Sequence, residues 1–403
     1  MAGPLAGVRV LDLSRVLAAP WASQNLADLG AEVIKVERPK IGDDSRAFGP
    51  PWVKDRDGRE TRDSAYFTSA NRGKKSITVN LAAPAGQALV RALAEKSDVL
   101  IENYKYGDLA RYQLGYDDLR PINPRLIYCS VTGFGQTGPY RERPGYDFMI
   151  QGMGGMMSVT GEPGEGPQRA GVPVADIITG MYASIAICAA LAHRARSGQG
   201  QQLDLALLDS QIALLAYQNT NYFSTGKPPR RIGNLHPNIV PYQPFRTSDG
   251  EVIVACGNDS LFRKFCDAAG CPELASDARF ATNGKRVENR AEITRLLQRE
   301  FDKRTTAEWL ERLEAAGVPN GPINDIAQVF EEPQVKARGV RIELEHPAAG
   351  KLSMVASPMR FSGTPLEYRQ APPLLGEHTD AVLRELLRKS DAEIAALRAA
   401  GTV

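Results

Sequence analysis

One carboxylate stands directly before the longest apolar run of the sequence. In GVPVADIITGMYASIAICAALAHRARSG, Asp176 follows a short extended segment and precedes the apolar residues 177–192. An aspartate there is a favoured helix N-cap, because its side chain accepts hydrogen bonds from backbone N–H groups two or three residues on. The positive end of the helix dipole also keeps a carboxylate ionised, and an ionised, partly desolvated carboxylate can attack a thioester carbonyl. Both roles, helix cap and nucleophile, stay open.

A set of basic and polar residues stands at or near the ends of the predicted strands. Its members are Arg15, Arg38, Arg72, Lys74, Lys75, Asn103 and Arg111. In an open α/β sheet the ends of the strands face the ligand crevice. Side chains at that position offer an anionic ligand positive charge and bidentate hydrogen bonds. Each residue taken singly fits a solvated surface at least as well. As a set they indicate a phosphate-bearing ligand.

Signatures of several other chemistries are absent from the sequence. The first predicted turn, DLSRVLAAP, lacks G-x-G-x-x-G, which disfavours NAD-dependent hydride transfer although Glu37 ends the second strand. RGKKS lacks the upstream glycine of a phosphate loop, and neither G-x-S-x-G nor H-E-x-x-H occurs. Five scattered cysteines without C-x-x-C, and only four histidines, favour neither disulfides nor a metal site.

Composition predicts a soluble cytoplasmic protein. The 403 residues suggest two domains, and 43% hydrophobic with 24% charged residues is typical of a globular chain. The net charge of +2 gives no reason to expect a nucleic-acid or membrane surface. The N-terminus lacks the features of a signal peptide, and the apolar run 177–192 is short of the about 20 residues of a membrane span. We therefore expect a buried core helix there.

The elements that must position these residues alternate along the first 135 residues. Predicted strands are VRVLDL (8–13), AEVIKVE (31–37), SITVN (76–80), DVLIEN (98–103) and RLIYCSV (125–131), with helices between them. This alternation predicts an α/β fold with a Rossmann-like parallel sheet. A hairpin at 242–256 and amphipathic helices predict a smaller α+β domain. We expect a large α/β domain from 1–225, a small domain at 226–330, and a tail, 331–403, that returns to the large domain.

The assembled motifs resemble the class III CoA-transferases, the formyl-CoA and carnitine CoA-transferase family. The resemblance covers nearly the whole chain and is carried by VRVLDLSRVLAAPWASQNLADLGAEVIKVERP, NRGKKSITVNL, DVLIENY, NPRLIYCSVTGFGQTGPY, GVPVADIITGMYA and APPLLGEHTDAVL. Within the family, GNLHPNIVPYQPFRTSDG, AGVPNGPIND and EEPQVKARG are most similar to the branch that acts on succinyl-CoA and glutarate.

The resemblance implies a reaction and a set of site residues. The family's acyl-carrying aspartate falls on Asp176, so the implied chemistry passes CoA from a donor such as succinyl-CoA to a dicarboxylic acid such as glutarate, through an aspartyl anhydride and an aspartyl-CoA thioester. No metal or permanently bound cofactor is implied, and the CoA thioester is a substrate. The implied CoA contacts are Val16, Arg38, Asn103, Tyr104 and Arg111, to which the basic set adds Lys75.

Departures from the family pattern bear on the substrate. Ala82 and Pro144 stand where the formyl-CoA enzyme has CoA-contacting lysines, and Leu17 stands where it has a glutamine, which argues against formyl-CoA and oxalate as the natural pair. The related α-methylacyl-CoA racemases have a histidine where PGYD carries Tyr146. A tyrosine, with a pKa near ~10, is a poor two-way proton shuttle. Racemisation is the weaker alternative, and Tyr146 is expected to line the acyl pocket.

Three residues are candidates for the second carboxylate of a dicarboxylic substrate, whose charge needs a cation or several donors. They are His236 in GNLHPN, Arg46 and Arg15. The family resemblance further implies an interlocked homodimer. A third hypothesis, a non-catalytic CoA-binding protein with Asp176 as a helix cap, also stays open at this point.

Overall fold

The computed structural model describes residues 3–403. Its strands are β1 Arg9–Asp12, β2 Glu32–Glu37, β3 Trp52–Lys54, β4 Glu60–Ser64, β5 Lys74–Thr78, β6 Val99–Glu102, β7 Ile127–Thr132, β8 Gln202–Ala206, β9 Tyr242–Arg246, β10 Glu251–Ala255, β11 Asn320–Gly321, β12 Arg341–His346 and β13 Gly350–Val355. Its α-helices are α1 Ala18–Asp28, α2 Ala65–Ser69, α3 Pro84–Glu95, α4 Tyr116–Leu119, α5 Asp147–Met153, α6 Met156–Val159, α7 Val174–Ser197, α8 Leu207–Leu214, α9 Tyr217–Thr225, α10 Asp259–Ala269, α11 Glu273–Ser276, α12 Asn283–Glu288, α13 Arg290–Phe301, α14 Thr306–Ala315, α15 Ile326–Glu331, α16 Pro333–Ala337, α17 Thr379–Leu387 and α18 Asp391–Ala399. Short 3-10 helices span Asp44–Ala47 and Ala110–Tyr112.

The predicted α/β fold is confirmed by a parallel sheet with the strand order β5-β2-β1-β6-β7-β8. Its strands are apolar because both faces of the sheet are covered. On one face Leu11 packs in a cluster with Leu93 of α3, whereas on the other Val10 packs in a cluster with Ala22 of α1 and Ile187 of α7.

The order of the strands fixes where a ligand crevice forms. From β1 the chain runs outward through β2 and β5, and then it returns to β6 and runs the other way through β7 and β8. Ligands bind at the carboxyl ends of the strands where the order reverses. That position lies between β1 and β6, beside the turn at residues 14–17 and the segment at residues 103–106.

Helix α7 is a core helix, as expected from its sequence. Its length and mean hydropathy would suit a membrane span, but it packs closely against α1, α5, α8 and the sheet. Gly180 permits this packing, because a Cβ there would lie 2.5 Å from the carbonyl oxygen of Ala18. The helix ends at Gly198, whose left-handed conformation (φ 74°) suits glycine.

The described chain forms two compact units. The first comprises the residues up to Met156, together with Ala170–Thr225 and Ala337–Val403. In its tail, β12 and β13 pair antiparallel, and Leu383 of α17 and Ile394 of α18 join the cluster on the α3 side of the sheet.

The second unit comprises Met157–Arg169 and Gly226–Lys336. Its β9–β10 hairpin is antiparallel, and its core is rich in aromatic side chains that include Phe245, Phe301 and Trp309. Residues 157–169 belong to this unit, which differs from the predicted boundary at 225. The reason is a local pairing, in which the N–H of Gly233 donates to the carbonyl of Gly161 (3.0 Å) and Arg231 Nη2 donates to the carbonyl of Glu165 (2.8 Å).

Candidate active site

A crevice of the first unit opens at the switch point of the sheet. It is lined by Arg15, Val16, Leu17, Ala18, Asp44, Asn103, Tyr104, Lys105, Tyr106, Val131, Thr132, Gly133, Arg141, Arg143, Pro144, Gly145, Tyr146, Asp176 and Leu207. The structure thus brings together Asp176 with six other residues that the sequence analysis proposed, namely Arg15, Val16, Leu17, Asn103, Tyr104 and Tyr146.

The turn between β1 and α1 forms one wall of this crevice. Asn103 holds it from the end of β6, because its Oδ1 accepts from the N–H of Arg15 (2.8 Å) and its Nδ2 donates to the Arg15 carbonyl (2.7 Å). The next N–H, that of Val16, donates to Asp43 Oδ1 (3.0 Å). The turn is therefore anchored by side chains from two other segments of the same unit.

The helix-cap role predicted for Asp176 is wrong. Helix α7 begins at Val174 with Pro173 at the N-cap position, so Asp176 is the third residue inside the first turn. The helix end is served from another segment, since Asp147 Oδ1 accepts from the N–H of Ala175 (2.9 Å) and Asp147 Oδ2 accepts from Gln151 Nε2 (2.8 Å). The Asp176 side chain is thereby left to the crevice.

The electrostatic environment of Asp176 also differs from the expected one. Burial, followed by the nearby carboxylate of Asp147, raises the pKa of Asp176 to about 7. The helix N-terminus alone favours the ionised form, but here it is opposed by desolvation and like charge. Near neutral pH the carboxyl group is poised between its two forms, as is common for catalytic groups.

A second crevice of the same unit adjoins the first and shares Arg15 and Tyr104 with it. Among the residues that line it are Arg38, Ala82 and Tyr112. Arg38 follows β2 and pairs with Asp44. Its guanidinium is nearly half exposed, so it remains accessible to an anion.

Arg111 is the sequence neighbour of Tyr112, which lines the second crevice. The Arg111 side chain is 70% exposed and pairs with Asp108 (2.5 Å).

Lys75 does not lie with the residues that line the two crevices. Strand β5 begins at Lys74, two residues earlier than predicted, and Lys75 Nζ pairs with Glu32, the first residue of β2 (2.7 Å). Lys75 therefore lies toward the amino end of the sheet, away from the carboxyl ends that line the crevices.

Arg46 does not offer a free cation to a substrate. Its guanidinium is buried, donates twice to Glu37 (both 2.8 Å) and once to Asp63 (2.6 Å), and stacks over the Phe67 ring. Arg15 does line the crevice. It pairs with Asp44 through Nη1 (2.8 Å), whereas its buried Nε has no hydrogen-bond partner among residues 3–403.

Tyr146 and His236 have contrasting surroundings. Tyr146 immediately precedes α5, lines the Asp176 crevice and is 68% exposed. His236 belongs to the second unit, where its ring packs against Tyr242 and its Nδ1 accepts from the N–H of Asn238 (3.1 Å). Burial and then the charge of Arg290 lower the pKa of His236, which favours the neutral imidazole there.

Several site residues escaped the sequence analysis. Burial, followed by the charges of Asp176, Asp147 and Asp43, raises the pKa of Tyr66 to about 12. Arg141 and Arg143 also line the crevice. Asp147 adjoins Tyr146 in the motif PGYD, and that adjacency is the signal that could have identified it. Among residues 3–403, no group of three or more His, Cys, Asp or Glu side chains is arranged to hold a metal ion.

Comparison with known proteins gives these residues a context. Residues 5–379 match the model of CoA-transferase family III. The succinate–glutarate CoA-transferase of Agrobacterium fabrum is 52% identical over 95% of this chain and 96% of that protein. The succinyl-CoA:glutarate CoA-transferase of Homo sapiens is 46% identical over 99% of this chain and 90% of that protein.

Solved structures agree with this similarity. A CAIB/BAIF family protein from Brucella suis has a TM-score of 0.84 and 50% identity, covering 96% of this chain and all of that one. The hypothetical protein Rv3272 of Mycobacterium tuberculosis has a TM-score of 0.82 and 32% identity, covering 94% of this chain and 99% of that one.

Proposed function

This chain belongs to CoA-transferase family III and is a CoA-transferase, and from that premise we propose that it moves CoA from succinyl-CoA to a dicarboxylic acid such as glutarate through Asp176. The observation that carries the proposal is the crevice in which Asp176 lies beside the turn at residues 14–17 and the end of β6. The names of the similar enzymes from Agrobacterium fabrum and Homo sapiens supply the two acids.

The proposed reaction consists of four acyl transfers that pass through three covalent intermediates on Asp176. The Asp176 carboxylate attacks the thioester carbonyl, the C–S bond breaks, and CoA thiolate leaves a mixed anhydride. The thiolate attacks the Asp176 carbonyl of that anhydride and releases succinate. The acceptor carboxylate then attacks the aspartyl-CoA thioester, which frees the thiolate again and forms a second anhydride. Attack of the thiolate on the acceptor carbonyl gives the new thioester and restores Asp176.

The surroundings of Asp176 suit a nucleophile. A carboxyl group with a pKa of about 7 is more basic than a solvated aspartate, so its ionised form is the stronger nucleophile, and half of it is ionised at neutral pH. Leu17 and Ala18, at the N-terminal end of α1, line the same crevice. First-turn N–H groups have no partner within their helix, and such donors stabilise the oxyanion of each tetrahedral intermediate.

The remaining predicted residues divide between CoA and the acid. Val16, Asn103 and Tyr104 line the Asp176 crevice, and Tyr104 also lines the second crevice, where Arg38 supplies a charge for a CoA phosphate. Lys75 and Arg46 are not part of this proposal, because both are engaged in ion pairs elsewhere. Arg15, with its unpartnered Nε at the Asp176 crevice, is our candidate for the second carboxylate.

The covalent step is tested by trapping. Incubation with succinyl-CoA followed by borohydride reduction should label one peptide at residue 176, and Asp176→Asn should lower transfer to glutarate by more than about 10³-fold. Asp209→Asn is a matched control, because Asp209 is also a first-turn carboxylate, on α8, and does not line the crevice. Full transfer by the Asn variant, or a label at any other residue, contradicts the mechanism.

The acid is tested with a panel of acceptors and mass-spectrometric detection of the new thioesters. Glutaryl-CoA should form fastest, and Arg15→Gln should lose more activity with glutarate than with a monocarboxylate of equal length. No glutaryl-CoA would refute the acid but leave the transferase intact. Uptake of deuterium at C2 of a 2-methylacyl-CoA would instead support the racemase alternative.

We also propose that the enzyme is an interlocked homodimer that works in the cytoplasm without a permanently bound cofactor. In the first unit, large apolar side chains stand exposed on α5, α7 and α9, including Phe148, Met181, Ile185 and Phe223. Apolar exposure of this kind marks a protein interface. Sedimentation should give twice the chain mass, and because threaded chains cannot separate while folded, tagged and untagged dimers should not exchange chains on mixing.

A further inference from the structure

Val16 adopts a backbone conformation that its side chain disfavours. Its φ is 71°, in the left-handed region, where a β-branched residue is a rare outlier and the backbone is strained. Such a conformation persists only where the surroundings impose it. Val16 lies in the turn between β1 and α1 and lines the crevice that contains Asp176.

A buried ion pair imposes this conformation. Asp43 Oδ1 accepts from the N–H of Val16 (3.0 Å) and from the N–H of Ser45 (2.9 Å). Asp43 Oδ2 lies 2.8 Å from Lys35 Nζ, and both side chains are fully buried. Lys35 Nζ in turn donates to the carbonyl of Ser14 (2.8 Å). One ion pair thus holds the turn on both sides of Arg15.

Asp43 stays ionised in its pair with Lys35. Burial alone would raise the pKa of Asp43, but the Lys35 ammonium and the N–H donors of Ser45 and Val16 lower it to about 2. The backbone of Asp43 is fixed as well, because its N–H donates to Glu37 Oε2 (2.9 Å), the same oxygen that accepts from Arg46 Nε (2.8 Å). The buried Arg46–Glu37 pair therefore supports Asp43, and Asp43 supports Val16.

Val16 lies two residues before the start of α1. Leu17 precedes the helix, Ala18 is its first residue, and both line the crevice. The carbonyl of Ala18 lies against Gly180 of α7, one helical turn beyond Asp176. We propose that Asp43, held by Lys35, is a positioning residue for acyl transfer, which keeps Val16 left-handed so that the first turn of α1 meets the reacting carbonyl at Asp176. This inference rests on the proposed function of Asp176.

The test is a double-mutant cycle between positions 43 and 16. Asp43→Ala removes the acceptor, and we expect kcat to fall by about 10²-fold, the effect of a misplacement near 1 Å, with a smaller change in KM for the acyl-CoA. Glycine adopts positive φ without strain, so in a Val16→Gly background the same Asp43→Ala change should lower kcat by less than about tenfold. Asp43→Asn keeps an oxygen acceptor for the Val16 N–H and should retain most of the kcat that Asp43→Ala loses.

Asp28→Asn is the matched control. Asp28 is also a buried carboxylate, paired with Arg72, and it lies outside both crevices. It should lower Tm as Asp43→Ala does but leave kcat within about twofold, because breaking a buried pair costs stability without moving the turn. If Asp43→Ala does not fold, the paired change Lys35→Met with Asp43→Leu, which replaces the buried ion pair by apolar side chains without an acceptor for the Val16 N–H, enters the same cycle with the same sign expected.

An equal loss of kcat from the position 43 change in both backgrounds overturns the inference. An equal loss of kcat in Asp28→Asn at the same Tm does so too. These outcomes differ from failure of the proposed function, in which the wild-type protein itself transfers no CoA to any acid.

Discussion

The two walls of the Asp176 crevice are built in opposite ways. The turn at residues 14–17 is gripped by buried side chains, with Asn103 on one residue and the Asp43–Lys35 pair on its neighbours. The loop that follows β7, residues 133–146, presents exposed side chains. Arg143 stacks over Tyr140 (4.4 Å from its ring centroid), and Tyr146 is largely exposed.

The difference lies in where each wall is fixed. The second wall is closed at its base, where Gly133 and Gly145 touch so tightly that a Cβ on either would lie within 2.5 Å of the other's Cα, but its tip is held mainly by exposed contacts. A rigid wall suits the step that is the same for every substrate, oxyanion stabilisation at Asp176. An adaptable wall suits the parts of the ligand that differ or that must bind and leave.

Changing Arg46, whose buried ion pairs support the rigid wall, should have the largest effect, a loss of stability. Arg46→Met breaks a buried pair with Glu37 and Asp63, and we expect the free energy of unfolding to fall by about 3–5 kcal/mol. Denaturant titration measures it, with Arg59→Met as the control, because the Arg59–Asp57 pair is exposed and is worth at most about 1 kcal/mol. A selective loss of activity with dicarboxylates at an unchanged free energy of unfolding would instead show that Arg46 binds the substrate's second carboxylate.

The turn itself should respond in catalysis. Asn103→Ala removes both hydrogen bonds to Arg15, and we expect kcat/KM to fall by about 10²-fold as the turn relaxes. Asn123→Ala is the comparison, because Asn123 also anchors backbone carbonyls, those of Ala94 and Ser97 (3.0 and 2.9 Å), away from the crevice. Equal losses in the two variants would mean that the grip on the turn has no special part in catalysis.

The carboxylate between the walls should impose a pH dependence. Because only ionised Asp176 attacks, kcat/KM should fall about tenfold per unit as the pH drops below about 7. Stability has the opposite sign. The folded pKa lies above the usual value of 3.8, so protonation stabilises the fold fully below that value and the gain is lost as the pH rises through about 7. Asp176→Asn should therefore raise Tm most at pH 8.5 and less at pH 5, and a constant Tm difference would contradict the raised pKa.

The adaptable wall should give the smallest effect. Arg143→Gln removes an exposed cation at the crevice, and we expect kcat/KM for the acyl-CoA to fall by about tenfold at low ionic strength and by less in high salt. Tyr146→Phe keeps the ring and should change kcat/KM by less than about threefold. A loss in Arg143→Gln that persists at high salt would show a specific contact in place of long-range attraction.

Sequence reasoning reached the sheet and the position of the crevice because both follow from local pattern and topology. Apolar strands alternating with helices require a covered parallel sheet, and carboxyl ends of neighbouring parallel strands meet at one edge. Asn103, at the end of a predicted strand, therefore lines the crevice, as do Val16 and Tyr104, which only the family resemblance had indicated. Asp176 was identified as a candidate by its position before the apolar run 177–192.

What sequence reasoning missed depends on partners that are distant along the chain. Asp176 resembled a cap because Asp147, the residue that actually serves the helix end, stands on another helix. Arg46 resembled a free cation because its burial rests on Glu37, Asp63 and the carbonyl of Pro373. Lys75 was assigned to a loop because apolar pattern alone starts β5 at Ser76, whereas the buried pair of Lys74 with Asp12 extends the strand.

The absence of a side chain at Gly180 has a consequence for which segments of the enzyme can move. The Ala18 carbonyl lies directly against that position. Because of this close contact, we expect α1 and α7, the helix that carries Asp176, to move together as one rigid body. We therefore expect a long, flexible thioester to be admitted and released by displacement of the 133–146 loop. Time-resolved hydrogen exchange should accordingly find fast opening in that loop, with α1 and α7 protected together.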